Sequence, residues 1–439
     1  MFKYIHAADI HLDSALHGLD RYEGAPVDEI RGATRRAFDN LVELAIDEGV
    51  AFVLLAGDLY DGDWKDYNTG LYFVARMRRL AEAGIKVFIV AGNHDAASRL
   101  TRHLRLPENV TLFDTRRPER VVLPELNVSV CGQGFANRAI TEDLSRGYPQ
   151  GDPQLFNIGL LHTCLDGKAG HEPYAPCTVD GLTTKGYQYW ALGHVHKREE
   201  VSRDPWIVFP GNVQGRHIRE TGAKGCTLVT VEHGEVAEVV HRDLDVMRWS
   251  VCELEVSGSD TVDRVYELVR EALQQELDLA QGRPVALRLL LQGACAAHPG
   301  LHLERERWIQ EYRALAAGIG GAGIWLEKVS FETSPVASVD DMRGADDALG
   351  GLLGGLQKLV FDEAALHALS AELADLRRKL PPELLAGEEA YDPADPEQIE
   401  AALEDIRSLL VNRLLSPDPA ACRYGRCILP RLDRSPSGC

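Results

Sequence analysis

FKYIHAADIH, residues 2–11, decides how the rest of the chain is read. It is a mostly apolar run of strand length that stops abruptly at Asp9, with His11 two residues further on. The same event recurs four times. Residues 52–56 end at Gly57 and Asp58; 87–91 at Gly92, Asn93 and His94; 157–161 at His162; and 189–192 at Gly193, His194 and His196. Between the early runs lie helical patterns near 29–48 and 70–83, closed by Gly49 and Gly84. Strand and helix therefore alternate at the start, and strand signals then crowd together at 121–123, 128–131, 206–209 and 226–240. These imply sheets packed face to face with helices outside.

Asp9, His11, Asp58, Asn93, His162, His194 and His196 all fall at the carboxyl ends of expected strands. Loops at one edge of a sheet converge in space, so residues far apart in sequence can surround one volume. Seven oxygen or imidazole donors without a cysteine are too many for one ion. They suit two, with a shared carboxylate, and such hard-to-borderline donors favour manganese, iron, zinc or magnesium. In Asp9-x-His11 and in His194-x-His196, a spacing of two puts both side chains on one side of an extended segment. Glycines beside Asp58, Asn93 and His194 let the backbone turn where a larger residue would obstruct a pocket. Any single one of these residues reads more naturally as surface or core; five blocks in order on five strands do not. His6 and Cys164 read as core.

The chain has 439 residues, enough for about three domains. With 45% hydrophobic and 26% charged residues it can build a core, which excludes disordered and disulfide-dense classes. No stretch reaches the roughly 18 apolar residues of a membrane span, and no signal peptide precedes the first strand. Nine cysteines without a pairing interval suit reduced thiols, hence the cytoplasm. The net charge of −20 works against unaided binding to a polyanion. After residue 245 a second pattern begins: strands near 249–256, 285–291 and 324–331 alternate with helices near 261–279 and 304–316, a small α/β module. From 340 to 416 acidic residues dominate and strands cease. There Leu366, Leu369, Leu373, Leu376 and Leu380, then Ile399, Leu403, Ile406 and Leu410, recur at steps of three and four. Residues 417–439 have no periodicity and read as a disordered tail.

Asp9-x-His11, Gly57-Asp58-x-x-Asp61, Gly92-Asn93-His94-Asp95, His162 and Gly193-His194-x-His196 together resemble the signature of the calcineurin-like metallophosphoesterases. The resemblance spans about 1–245 and implies a four-layer α/β/β/α sandwich holding two divalent ions. The segment 209–225 and the opening 5–14 resemble more narrowly the YhaO-type DNA-repair exonucleases. These are relatives of SbcD and of the nuclease subunit of eukaryotic double-strand-break repair complexes. That likeness implies a nuclease domain over 1–245, an α/β capping domain over 246–335 and a helical region over 340–416 that docks on a coiled-coil ATPase, with DNA as substrate and a homodimer as a further option. Carried over residue by residue, it puts one ion on Asp9, His11 and His196, a second on Asn93, His162 and His194, and Asp58 between them. His94 is left to assist the leaving oxygen and Asp95 to orient it; Asp61, His17, His171, Arg216 and His217 are candidates to face substrate. Two other readings remain: hydrolysis of a small phosphodiester such as a cyclic nucleotide, and a scaffold with a relic site. The length of 246–416 weighs against the first, the completeness of the ligand set against the second.

Overall fold

The structure is a computed structural model that describes residues 1–14, 32–60, 67–96, 105–165, 175–336, 363–380, 385, 391–400, 402–403 and 406. Its first half follows the expected alternation: β1 (Phe2–Ala7), α1 (Ala33–Asp47), β2 (Phe52–Ala56), α2 (Tyr67–Glu82), β3 (Lys86–Val90) and the single turn α3 (Asn93–Ala96). Then come β4 (Val110–Leu112), β5 (Glu119–Leu123), β6 (Val128–Gln133), β7 (Phe156–His162), the short α4 (Val179–Thr183), β8 (Tyr189–Gly193), β9 (Glu199–Arg203), β10 (Trp206–Phe209), β11 (Gly225–Glu232) and β12 (Glu235–Asp243). Helix α1 stops where its sequence says it should. Gly49 takes a positive φ of 58°, and Val50 N–H reaches back to Ala45 O at 3.1 Å, closing the last turn.

Two six-stranded sheets result, ordered β12-β11-β1-β2-β3-β4 and β5-β6-β7-β8-β10-β9. In the first, β1 to β4 run parallel and β11 is antiparallel to β1; in the second, β6, β7, β8 and β10 are parallel, with β5 and β9 as antiparallel edges. Strand alternation sorts the side chains into layers. Tyr4, Phe52, Leu54, Phe88 and Val90 of the first sheet meet Val130, Ile158, Leu160, Tyr189 and Val208 of the second in one buried core. Their neighbours Ile5, Val53, Leu55, Val87 and Ile89 point the other way, onto Phe38 and Leu41 of α1 and Phe73 and Met77 of α2. The outer face of the second sheet, with Trp190, Leu192 and Ile207, is covered by Tyr148, Leu182 and Tyr187. This is the expected α/β/β/α sandwich, with a thin fourth layer among the described residues. Two strands escaped the sequence reading: β4 is only three residues long, and β9 (EEVSR) is a polar edge strand without an apolar face.

Beyond the sandwich lie β13 (Arg248–Glu255), α5 (Val262–Leu279), β14 (Val285–Ala294), α6 (His298–Leu303), α7 (Arg305–Gly320) and β15 (Ile324–Ser334), the strands forming a sheet in the order β13-β14-β15. The chain divides into two compact units, 1–252 with 273–289 and 316–328, and 253–272 with 290–315 and 329–439. Both large sheets belong to the first. The second contains an aromatic group in which Tyr312, fully buried, packs against Tyr266, Trp308 and Phe331. In α8 (Glu363–Arg377), the seam residues Leu366, Leu369 and Leu373 are half-buried and Leu376 is exposed; Ser370 bonds to Ala394 O, Arg377 pairs with Asp392, and Ile399 is buried. The second seam is described only in part, and the 417–439 tail lies outside the described residues. The six described cysteines are buried, and none of them forms a disulfide among the described residues. No helix among the described residues is long and apolar enough to cross a membrane.

His6 is core, as expected, and it spans the two sheets. A carbonyl can only accept, so its Nε2–H donates to Leu192 O at 3.1 Å and its Nδ1 accepts the Tyr189 hydroxyl at 3.0 Å. Burial pulls its pKa down to about 3, only partly opposed by the Leu192 carbonyl. Between pH 6.5 and about 3 the unfolded chain therefore takes up a proton that the folded chain refuses, and stability is lost as pH falls through that window. The contribution of His6 amounts to about 2–3 kcal/mol between pH 7.5 and 4.5. Urea unfolding at the two pH values is expected to show a smaller acid loss for His6→Gln than for the parent; an equal loss would remove His6 from the acid limb.

Candidate metal centre

The carboxyl ends of β1, β2, β3, β7 and β8 meet at one edge of the sandwich. They are laced together by backbone hydrogen bonds from Asp9 N to Gly57 O and from His11 N to Asp58 O, both 3.0 Å. Four of the seven expected donors have positive φ: Asp9 at 50°, His11 at 46°, Asp58 at 52° and His194 at 105°. Asp and His tolerate the left-handed region better than most residues, but 105° lies outside its usual well. Strain of this kind, gathered at one spot, marks places where the surroundings dictate side-chain direction. Gly57 is needed for a close approach: a Cβ there would lie 2.4 Å from His162 Nδ1.

The structure brings all seven together. Side-chain donor atoms of Asp9, His11 and His196, and of Asp9, Asp58 and His162, lie within 4.8 Å of one another in each group. Asp9 receives His194 N–H on both oxygens (3.0 and 3.2 Å), and Asp58 Oδ1 receives His94 N–H at 3.0 Å. Asp58 Oδ2 faces His162 Nε2 at 3.5 Å and His11 Nε2 at 3.9 Å, so this one carboxylate stands between two imidazoles. Asn93 Oδ1 is 2.9 Å from His162 Nε2, and the rings of His162 and His194 meet edge to face. Phe135 closes the wall behind His162.

Hydrogen bonds on the far ring nitrogens fix where the imidazole lone pairs point. His162 Nδ1–H donates to Ala56 O at 2.9 Å, so Nε2 turns a lone pair toward Asn93 Oδ1 and Asp58. His196 Nδ1 lies 2.6 Å from Glu220 Oε1, so its Nε2 lone pair likewise faces His11 Nε2 (3.3 Å) and Asp9 (3.9 Å). Burial, and then the Asp58 charge, push Asp9 well above the usual carboxylate range; burial pulls His11 far down and His162 to about 3. Imidazole nitrogens and carboxylate oxygens aimed at one another this closely call for a proton or a cation between them. The donor set fits the expected pair of divalent ions.

His94 is half-buried and stacks its ring edge to face on His11. The carboxylate of Asp95, expected to orient it, accepts N–H groups from Leu59 (3.2 Å), Tyr60 (3.0 Å) and Gly92 (2.9 Å). It thus fastens the loop after β2 to the loop after β3, and burial with the nearby Asp58 raises it to about 7. Arg216 reaches Ser14 Oγ and Glu220 beside His196, whereas His217 is exposed. His17, Asp61 and His171 lie outside the described residues. Two residues missed in the sequence matter here. Glu220 holds His196, and Asp13 ties the loop after β1 to Arg35 and Thr69 on the helices. Neither has a sequence spacing to its partner that would have revealed it.

Residues 2–198 match the calcineurin-like phosphoesterase family, and residues 249–334 match the middle domain of metallophosphoesterase YhaO. The metallophosphoesterase YhaO of Bacillus subtilis is 35% identical over 364 residues, which cover 81% of this chain and 87% of that protein. The DNA double-strand break repair protein Mre11 of Sulfurisphaera tokodaii is 25% identical over 305 residues, 66% of this chain and 73% of that one. Its counterpart in Aeropyrum pernix is 35% identical over 294 residues, 63% and 68%.

Proposed function

Since this chain belongs to the calcineurin-like metallophosphoesterases, we propose that it is a two-metal phosphodiesterase that cleaves DNA. One observation above others supports the reaction: imidazole lone pairs of His162 and His196, their protons committed elsewhere, are aimed at the buried carboxylates of Asp58 and Asp9. The choice of DNA rests on likeness to the repair proteins named above.

Asp9, His11 and His196 would hold one ion, Asn93, His162 and His194 the other, and Asp58 both. Such a pair, when bound, lowers the pKa of a water molecule toward neutrality and offsets charge on the phosphoryl oxygens. The chain's own residues do the rest. Asp58 keeps its carboxylate fixed through His94 N–H, Asp95 locks two of the ligand loops together, and Phe135 keeps water from the back of His162. The half-exposed His94 imidazole stands outside the proposed ligand set and would protonate or stabilise the departing oxygen. Arg216 offers a guanidinium to a phosphate at the mouth. In the same reading residues 246–335 cap the site, and 340–416 dock on a coiled-coil ATPase or a second copy of this chain, which would supply affinity for DNA that a charge of −20 does not.

Purified protein loaded with manganese, offered end-labelled duplex DNA, single-stranded DNA and a small chromogenic phosphodiester, tests the proposal. Cleavage of DNA is expected; turnover of the small diester alone would replace the nuclease reading by that of a small-molecule phosphodiesterase. Chelators are expected to abolish activity and calcium to restore little of it, because calcium prefers more oxygen ligands at longer distances. Elemental analysis after manganese loading should find about two ions per chain; fewer than about 1.5 would count against a two-metal centre.

A further inference from the structure

His162 and His196 are oriented by chemically different partners. His162 gives its Nδ1–H to a neutral backbone carbonyl, Ala56 O. His196 gives its own to Glu220, a carboxylate only 5% exposed. Glu220 is in turn held from all sides. Oε2 accepts Asn212 Nδ2 at 2.9 Å and Arg216 N at 2.8 Å, while Oε1 also accepts Arg216 Nη2 at 3.2 Å, with His217 Nε2 at 3.4 Å. Lys224 Nζ, from the same segment, donates to the backbone carbonyl of His196 at 3.1 Å. The turn between β10 and β11 is therefore built around one imidazole.

We propose that Glu220 is a positioning residue for His196. It fixes the tautomer that presents Nε2 to the centre, it sets the ring plane, and through its charge it makes that nitrogen the better electron donor. Carboxylate partners of ligating histidines act in this way, and removing one weakens metal affinity by about 10- to 100-fold. The consequence is an unequal pair of sites: Glu220 supports the ion shared by Asp9, His11 and His196 and leaves the other untouched. This rests on the two-metal reading above.

The test is manganese binding by calorimetry on the full-length protein, parent against Glu220→Gln, with electron paramagnetic resonance of the same samples. The parent is expected to bind two ions and give a spin-coupled pair signal. Glu220→Gln is expected to keep one site at parental affinity and weaken the other by about 10- to 100-fold. At moderate manganese the coupled signal should give way to a single-ion signal, and added manganese should bring it back. The metal-free melting temperature should stay within about 2 °C of the parent, since the Gln oxygen can keep the contacts to Asn212 Nδ2 and the Arg216 backbone N–H. Glu220→Asp, one methylene shorter, keeps the charge but draws it back from His196, and gives the same reading if the Gln variant does not fold. In a His196→Ala background, Glu220→Gln should cost nothing further in affinity. Two sites of unchanged affinity in both Glu220 variants, equal weakening of both sites, or a further loss without His196 would each overturn the proposal. A parent that binds no pair of ions would instead sink the two-metal reading itself.

Discussion

Asp58→Asn is expected to reduce phosphodiester hydrolysis by about 10³-fold or more and to leave the protein with one manganese ion or none, whereas His94→Gln should keep both ions. The reason is position. Asp58 Oδ2 is the carboxylate oxygen that faces both His11 and His162, and Oδ1 is anchored by His94 N–H. An amide in its place keeps the shape and loses the charge. A bound pair of ions would supply several kcal/mol of transition-state stabilisation, and each 1.36 kcal/mol is about tenfold in rate. The His94 backbone holds Asp58 and, in the proposed mechanism, its ring assists the leaving oxygen, so replacing the ring should cost about 10²-fold in rate without loss of metal, the usual range for a general acid. Metal content and rate measured on the same preparations decide the matter. Full activity in His94→Gln, or loss of metals in it comparable to Asp58→Asn, would show the division of labour to be wrong.

Gly193→Ala should damage both stability and metal binding. A Cβ at this position would stand 1.9 Å from Ala56 O and 3.0 Å from His162 Nδ1. Ala56 O is the carbonyl that orients His162, and it is backbone, so it cannot step aside as a flexible side chain would. The end of β8 must move away from the end of β2, at a cost of about 3 kcal/mol. For a unit of this size that is roughly 6–12 °C in melting temperature. Gly49→Ala serves as comparison. Gly49 also has a positive φ but nothing within 4 Å, and its replacement should cost about 1 kcal/mol and leave metal binding intact. Equal effects of the two substitutions on metal content would contradict the close-packing argument.

The clustering of the seven candidate donors was legible because metal-type chemistry constrains residue type and because strands end where these residues begin. Asp9, Asp58, Asn93, His162 and His194 each follow an apolar run, and the parallel order of β1-β2-β3 and β7-β8 brings those ends to one edge. The layers were legible for the same reason, since Val53 and Leu54 must face opposite ways on a strand. What stayed hidden depends on tertiary approach rather than on pattern. Glu220 lies 24 residues after the histidine it serves, inside a glycine-containing turn. Asp95 was read beside the adjacent His94, but its carboxylate also binds, besides the nearby Gly92 amide, those of residues 59 and 60, thirty-odd positions earlier, which no spacing announces. Asp13 could not be assigned a fastening role until α1 and α2 were seen to flank it. The strand β9 was missed because its residues are those of a solvated loop.

One feature of the edge couples ligand occupancy to the persistence of the fold. Asp9, His11, Asp58 and Asn93 come from the first sheet, His162, His194 and His196 from the second, so anything held by both groups rivets the two halves of the sandwich. By mass action a species that binds only the assembled edge adds RT ln(1 + [L]/Kd) to the free energy of unfolding. Free divalent ion thus becomes a conserved currency between turnover and survival: a pool that is depleted would not merely idle the protein but shorten its lifetime against proteases, and a pool restored would rescue chains not yet degraded.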